Sequence, residues 1–353
     1  MTRNQERCPI CGTPKLKETK QSKIECTKCG YPYAFVRNFA GRQSFEAWKN
    51  MIEDDNKKRI YNIHYDCEKN HSFLLLHDGL VYLSPDQNTL SLIKEKAELS
   101  EAKVKQFDAS ERNRVWLMKD GTVRADGENT FNQLDIQNWK EIEYICAAPE
   151  CIYGVQKDKT VVWAGSVFNS EIQTWNEIIK LACGNYHLVG LKKNGSVCIA
   201  GNMLDSEMKK EVESWNDIID ISASGDCTLG LTRGGEVRFA GRKTDKRKEV
   251  LNWSNIIAVA ADSVYAFGLT ATGTVLVAGE CKSSFLDMGR KDAGNWKEIV
   301  EITCCRSGIA GIEKNGTLHL AGNIQGKNEI QKKYTEKYQE KVAENFMKWI
   351  KQR

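Results

Sequence analysis

A tryptophan followed three residues later by isoleucine occurs five times: Trp139/Ile142, Trp175/Ile178, Trp215/Ile218, Trp253/Ile256 and Trp296/Ile299. A second mark recurs with it, a tight-turn dipeptide such as Asp-Gly, Asn-Gly or Gly-Gly. Its second position falls at Gly79, Gly121, Lys159, Gly195, Gly235, Gly273 and Gly316, at intervals of 42, 38, 36, 40, 38 and 43 residues. Seven units of about forty residues exclude most folds at once, because such a period means one small motif stacked on itself.

Each unit reads as antiparallel strands. Trp-x-x-Ile-x-x-Ile supplies a first strand with a bulky anchor, and a short apolar strand such as His187-Leu-Val-Gly-Leu follows. The turn dipeptide tolerates positive φ and closes a tight hairpin. The return strand runs into Ala-Gly at 164–165, 200–201, 240–241, 278–279 and 321–322, where small side chains suit a crowded site. A variable, charged stretch leads to the next tryptophan. Units one and two depart from this pattern. Both lack the first-strand tryptophan, and unit one has Ser84-Pro85 in place of Ala-Gly. The expectation is an all-β chain forming a seven-bladed β-propeller, with an open solenoid as the alternative.

The Trp-x-x-Ile-x-x-Ile, Gly-x-x-His, Leu-x-x-Asn-Gly-x-Val and Ala-Gly-Asn elements resemble the regulator of chromosome condensation repeat in its compact bacterial form. The resemblance covers roughly residues 59–325. It implies a protein-binding ring whose relatives engage GTPases, chromatin or enzymes through loops on one face. No contact residue carries over, because those loops are variable.

Ahead of the repeats stand Cys8-Pro-Ile-Cys11-Gly and Cys26-Thr-Lys-Cys29-Gly. Two residues between thiols let one turn aim both sulfurs at a single ion, and two such knuckles complete a four-thiolate structural Zn2+ site. The other nine of the thirteen cysteines form no metal spacing and read as small hydrophobes. With an odd total and no signal-peptide apolar region, a reducing cytoplasmic setting is expected. The chain therefore divides into a zinc ribbon at 1–36, a helical linker at 37–58, the propeller at 59–326 and a C-terminal amphipathic helix at 327–353. The last rests on Ile330, Tyr334, Tyr338, Val342, Phe346 and Ile350, spaced by four.

Charge is uneven. Residues 1–50 carry +6 and residues 326–353 carry +4, leaving −6 for the residues between in a chain of net +4. An acidic middle argues against the body lying on DNA, while the basic ribbon could touch nucleic acid. Two loops break the acidic trend. Arg242, Lys243, Lys246, Arg247 and Lys248 follow unit five, and Lys282, Arg290 and Lys291 follow unit six. These eight are the candidate contacts for an acidic protein partner.

Catalytic motifs are absent: the sequence holds no phosphate-binding glycine loop, His-Glu-x-x-His or Gly-x-Ser-x-Gly. His71 and His187 occupy one repeat position, held elsewhere by Asn113, Cys151, Cys227, Tyr265 and Gly308. Such variety suits packing or a strand-to-strand hydrogen bond rather than acid-base work. The expected function is a non-catalytic protein-binding scaffold, not an enzyme and without a membrane span. The alternatives are a regulator of an enzyme or small GTPase, and a zinc-ribbon nucleic-acid binder.

Overall fold

The computed structural model describes residues 104–110, 112–166, 170–201, 206–281, 287, 289–305, 308–313, 317–322 and 331. It also describes the backbone of strands at 16–18, 24–26, 60–66, 71–76 and 81–83. A short hairpin, β1 (Leu16–Glu18) and β2 (Ile24–Cys26), comes first. Seven three-stranded antiparallel sheets follow, each a simple meander. They are β3 (Ile60–Asp66), β4 (His71–Leu76) and β5 (Val81–Leu83); then β6 (Val104–Ala109), β7 (Asn113–Met118) and β8 (Val123–Gly127). The third and fourth are β9 (Ile142–Ala148), β10 (Cys151–Gln156) and β11 (Val161–Gly165), and β12 (Ile178–Cys183), β13 (His187–Lys192) and β14 (Val197–Gly201). The fifth and sixth are β15 (Ile218–Ser224), β16 (Cys227–Thr232) and β17 (Val237–Ala240), and β18 (Ile256–Ala261), β19 (Tyr265–Thr270) and β20 (Val275–Gly279). The seventh is β21 (Ile299–Cys305), β22 (Gly308–Glu313) and β23 (Leu318–Gly322). First strands neighbour one another in chain order, and β21 packs against β3. The molecule is a β-propeller, a form in which each small sheet buries its faces against its neighbours.

The turns lock the sheets together. In Asp120-Gly121-Thr122 the Asp120 carboxylate accepts from the Thr122 N–H at 2.9 Å, and only Gly121 is left-handed, with φ of 83°. Lys159 takes the same conformation at φ 71°, a cost of roughly 1 kcal/mol for a residue with a Cβ. The carbonyl at this turn position accepts the N–H that opens the next sheet. Ile142 donates to Gly121, Ile178 to Lys159, Ile218 to Gly195, Ile256 to Gly235 and Ile299 to Gly273, at 2.8–3.1 Å. The isoleucine marker in the sequence is therefore half of an inter-sheet joint.

The tryptophan marker has a partner that the sequence reading passed over. Each ring lies on a middle-strand glycine: Trp139 on Gly154, Trp175 on Gly190, Trp215 on Gly230, Trp253 on Gly268 and Trp296 on Gly311. A Cβ on any of these glycines would meet the ring at 2.6–3.0 Å, so the slot admits no side chain. The second sheet solves the same problem in reverse, with Trp116 packed on Phe107. Strand register puts Leu74 and Trp116 at the glycine position, and neither unit carries a tryptophan ahead of the first strand. From the second sheet to the seventh, one large group fills each wedge, from one side or the other.

Four of the variable, charged connections between sheets, those leaving β11, β14, β17 and β20, contain helix, whereas the one from β8 to β9 is built of turns. Three are 3-10 segments, Ser170–Thr174, Lys246–Asn252 and Arg290–Asn295, and one is an α-helix, α1 (Ser206–Glu213). They pack on the outer strands, the Lys246 segment on both β17 and β20. Each contributes one fully buried side chain, namely Ile172, Val212, Val250 and Ala293. The linker at 37–58, most of the ribbon at 1–36 and the helix at 327–353 lie outside the described residues. Of the last, Gln331 alone is described, and its side chain donates to the Leu318 carbonyl at 2.9 Å.

Candidate interaction surface

Because each sheet is an up-down-up meander, the loop from first to second strand and the connection leaving the third strand share one face. The opposite face carries the tight turns. The loop face therefore holds the chain's least regular segments on a rigid frame, the arrangement that suits recognition. At the fourth and fifth sheets two loops adjoin, with the Asn185 N–H donating to the Gly225 carbonyl at 2.8 Å. Tyr186 stands out here with 62% of its surface exposed, the most exposed large hydrophobic side chain among the described residues. On this face Asp226, the residue after Gly225, pairs with Arg242 at 2.5 Å, and Lys243 pairs with Glu207 at 3.1 Å, all four side chains well exposed.

The eight basic candidates separate into two groups. Arg242, Lys243, Lys246, Lys248 and Lys291 are exposed, and Lys282 lies outside the described residues. Arg247 and Arg290 do not belong to the surface: they are 4% and 3% exposed. Arg247 grips Asp245, with Nη2 to Oδ2 at 2.6 Å, and donates to the Ser224 and Asp262 carbonyls. Arg290 donates to the Asp262 carboxylate at 2.9 Å and to the Asp287 carbonyl, and its guanidinium lies 5.3 Å from the Tyr265 ring centre. Asp262 is fully buried and also accepts from the Val264 and Tyr265 N–H groups. Burial pushes this carboxyl up, and Arg290 and the two N–H groups oppose it. The physical reason for the correction is that a planar five-donor group can satisfy several buried carbonyls at once. Lysine-rich neighbours disguise this in the sequence. What is left at Arg242 and Lys243 is paired charge on the loop face, rather than a bare basic patch.

His187 is also interior, 3% exposed, and shares a hydrogen bond with Thr228 Oγ1 of the next sheet at 2.9 Å. Asn113, at the same repeat position, donates to the Ala148 carbonyl of its next sheet at 2.9 Å. The position is a link between sheets. Burial lowers the His187 pKa from 6.5 to about 4, so the ring stays neutral where the unfolded chain would take a proton. Stability from this site is full above about pH 6.5 and drains away as pH falls towards 4, by about 3 kcal/mol in total. Urea unfolding from pH 7 to pH 4 should show this limb, and His187→Asn, which copies the second sheet, should flatten it.

Inner strand edges are covered by side chains of the preceding sheet, which blunts their pairing potential. Gln106 bonds both the N–H and the carbonyl of Ile145, at 3.0 and 2.8 Å. Asp108 accepts from the Ala147 N–H at 2.8 Å, and Ser222 accepts from the Ala261 N–H at 3.0 Å. Lys180 pairs with Asp220 at 2.5 Å. Of the predicted zinc ligands, Cys26 ends β2, and Cys8, Cys11 and Cys29 lie outside the described residues. Among the described residues, no group of three or more His, Cys, Asp or Glu could hold a metal. No helix there is long and apolar enough to cross a membrane.

No family model and no curated protein matches the chain in sequence. Solved structures do match in shape. The CRINKLY WD40 ectodomain of the Arabidopsis thaliana receptor kinase ACR4 is 15% identical, with 75% of this chain and 96% of that one covered and a TM-score of 0.53. Human WBSCR16 is 15% identical over 64% of this chain and 77% of that one, with a TM-score of 0.50. Prp20p of Saccharomyces cerevisiae, reported with its binding to Gsp1p and histones, is 16% identical over 76% of this chain and 84% of that one, again at 0.50. At such identities the likeness is one of fold: the chain is similar to propellers of the kind that Prp20p represents.

Proposed function

We propose that this chain is a non-catalytic protein-binding scaffold, a seven-bladed ring that presents its loop face to a protein partner. The observation that carries the reading is Tyr186. A tyrosine offers a large contact area for little ordering entropy, and tyrosines are enriched at binding hot spots. This one is held out by a loop tied to its neighbour through the Asn185 to Gly225 hydrogen bond. The Asp226–Arg242 and Lys243–Glu207 pairs on the same face supply polar groups that can exchange partners on docking. Catalytic work is a poor match for His187, which is spent on a link between sheets. Prp20p binds Gsp1p and histones on a similar fold, and control of a GTPase or other enzyme would be a special case of this reading.

Cys8, Cys11, Cys26 and Cys29 hold a structural Zn2+ in the same proposal. Its support is the donor set itself and the β1–β2 hairpin, which spans most of the interval between the two knuckles. The ribbon is then an accessory contact beside the ring.

The test uses the full chain, checked for one zinc per molecule, as bait with a photo-crosslinker at position 186. A single dominant protein should be captured, and Tyr186→Ala should weaken its binding roughly tenfold or more. Arg242→Glu should also weaken it, whereas Lys193→Glu on the turn face should not. Binding that ignores Tyr186 and Arg242 but is lost with Lys193→Glu would overturn the choice of face. Turnover of a small substrate by the purified chain would overturn the function.

A further inference from the structure

The seam between the third and fourth sheets differs from its neighbours. In a seam, the first-strand residue opposite the third residue of the middle strand meets the next sheet, at the residue opposite the second residue of that sheet's middle strand. Asp108 thus meets Ala147, and Ser222 meets Ala261, each through an oxygen accepting a main-chain N–H. At the seam between β9 and β12 the same two positions are Cys146 and Cys183. Their sulfurs stand 2.7 Å apart. That is well inside the about 3.5–4.0 Å of unbonded heavy atoms and outside the about 2.0 Å of a disulfide.

We propose that Cys146 and Cys183 form an oxidisable dithiol, a modification site that takes a hydroperoxide and becomes a disulfide joining the third and fourth sheets. The frame, not the local sequence, creates the pair. The two residues lie 37 apart in the chain, and the spacing of first strands around the ring brings their side chains together. Access is asymmetric. Cys183 is partly exposed and Cys146 is buried, so Cys183 meets the oxidant first. Burial pushes the Cys183 thiol up and its contact with Cys146 works the other way, whereas Cys146 is raised well above its ordinary value by that contact and by burial. Burial raises both thiols, so slow oxidation under sustained peroxide suits them better than fast signalling.

The chemistry balances. The Cys183 thiolate attacks the outer oxygen of the hydroperoxide, the O–O bond breaks, and the proton from the thiol goes to the departing alkoxide or hydroxide. Cys183 is then a sulfenic acid. Cys146 sulfur attacks it, the S–S bond forms, and hydroxide leaves with the Cys146 proton as water. Two thiols lose two electrons, and the peroxide is reduced to an alcohol or water plus one further water.

The experiment uses the full chain, reduced and then titrated with hydrogen peroxide. Free thiols are alkylated after unfolding, and the chain is digested without reductant. The expected result is a peptide linking Cys146 to Cys183, with both lost together as thiols before Cys151, Cys198 or Cys227, and both recovered with dithiothreitol. The linked protein should also melt several degrees higher, since the bond closes a long loop of the unfolded chain. Cys183→Ala serves as the control because Ala147, Ala223 and Ala261 hold that seam position in other sheets. In it, Cys146 should remain alkylatable at the same peroxide dose. Recovery of both residues as separate thiols, as sulfinic acids or in links to other cysteines would overturn the proposal. So would a link that forms as readily in urea as in the native protein.

Discussion

Asp262→Ala should cost about 3–5 kcal/mol of stability and lower the melting temperature by roughly 10 °C. The magnitude follows from what the carboxylate leaves behind. Arg290 would keep its charge at 3% exposure without the carboxylate it donates to at 2.9 Å. The Val264 and Tyr265 N–H groups would lose their acceptor in the same step. An uncompensated buried charge is far more damaging than a missing contact. The double variant Asp262→Ala with Arg290→Met removes that charge and should recover a good part of the loss. Urea unfolding of the two variants checks this directly, and a double variant less stable than the single one would show that the pair is not coupled as described.

Gly230→Leu is the second large effect. Even an ideal Cβ at this position stands 2.8 Å from the Trp215 ring, so leucine forces the ring or the strand aside, at about 3 kcal/mol. Trp215→Ala alone empties a wedge where the ring is 4% exposed, at about 3–5 kcal/mol. The two together should be better than the sum of the singles by about 1–3 kcal/mol. The second sheet already displays that arrangement, with Trp116 at the glycine position packed 5.4 Å from Phe107 between ring centres. Strict additivity in a thermodynamic cycle would show that the two residues do not share one space.

The contrast between these two sites explains how much could be read in advance. The Ile218 and Gly235 markers are visible because the turn-to-strand joint is rebuilt in each unit from the same local pieces, so its residues recur at one spacing. The tryptophans recur for the same reason, and their glycines were there to be matched with them: bulk moves to Leu74 and Trp116 only where the tryptophan is missing. Nothing comparable marks Arg247 or Arg290. Each is used once, in a loop of lysines, and only the third dimension separates a buried guanidinium from a solvated one. Tyr186 is likewise a single event, an aromatic at a loop tip where the equivalent loops carry Glu150, Asp226 or Val264. Cys146 and Cys183 read as small apolar residues because their meeting is a property of two adjacent sheets and of neither alone.

The joints made by the turn carbonyls run tangentially, so the ring behaves as a hoop under tension along its circumference. From the third sheet to the seventh each joint is doubled by the polypeptide itself, which passes on from one sheet to the next. The β21–β3 seam joins the last sheet to the first, and among the described residues no such connection crosses it. A hoop of this construction has a clasp, and β3 and β21 are its two halves. Strain imposed anywhere on the rim, by a partner seated on the loops or by heat, is carried around to that one place.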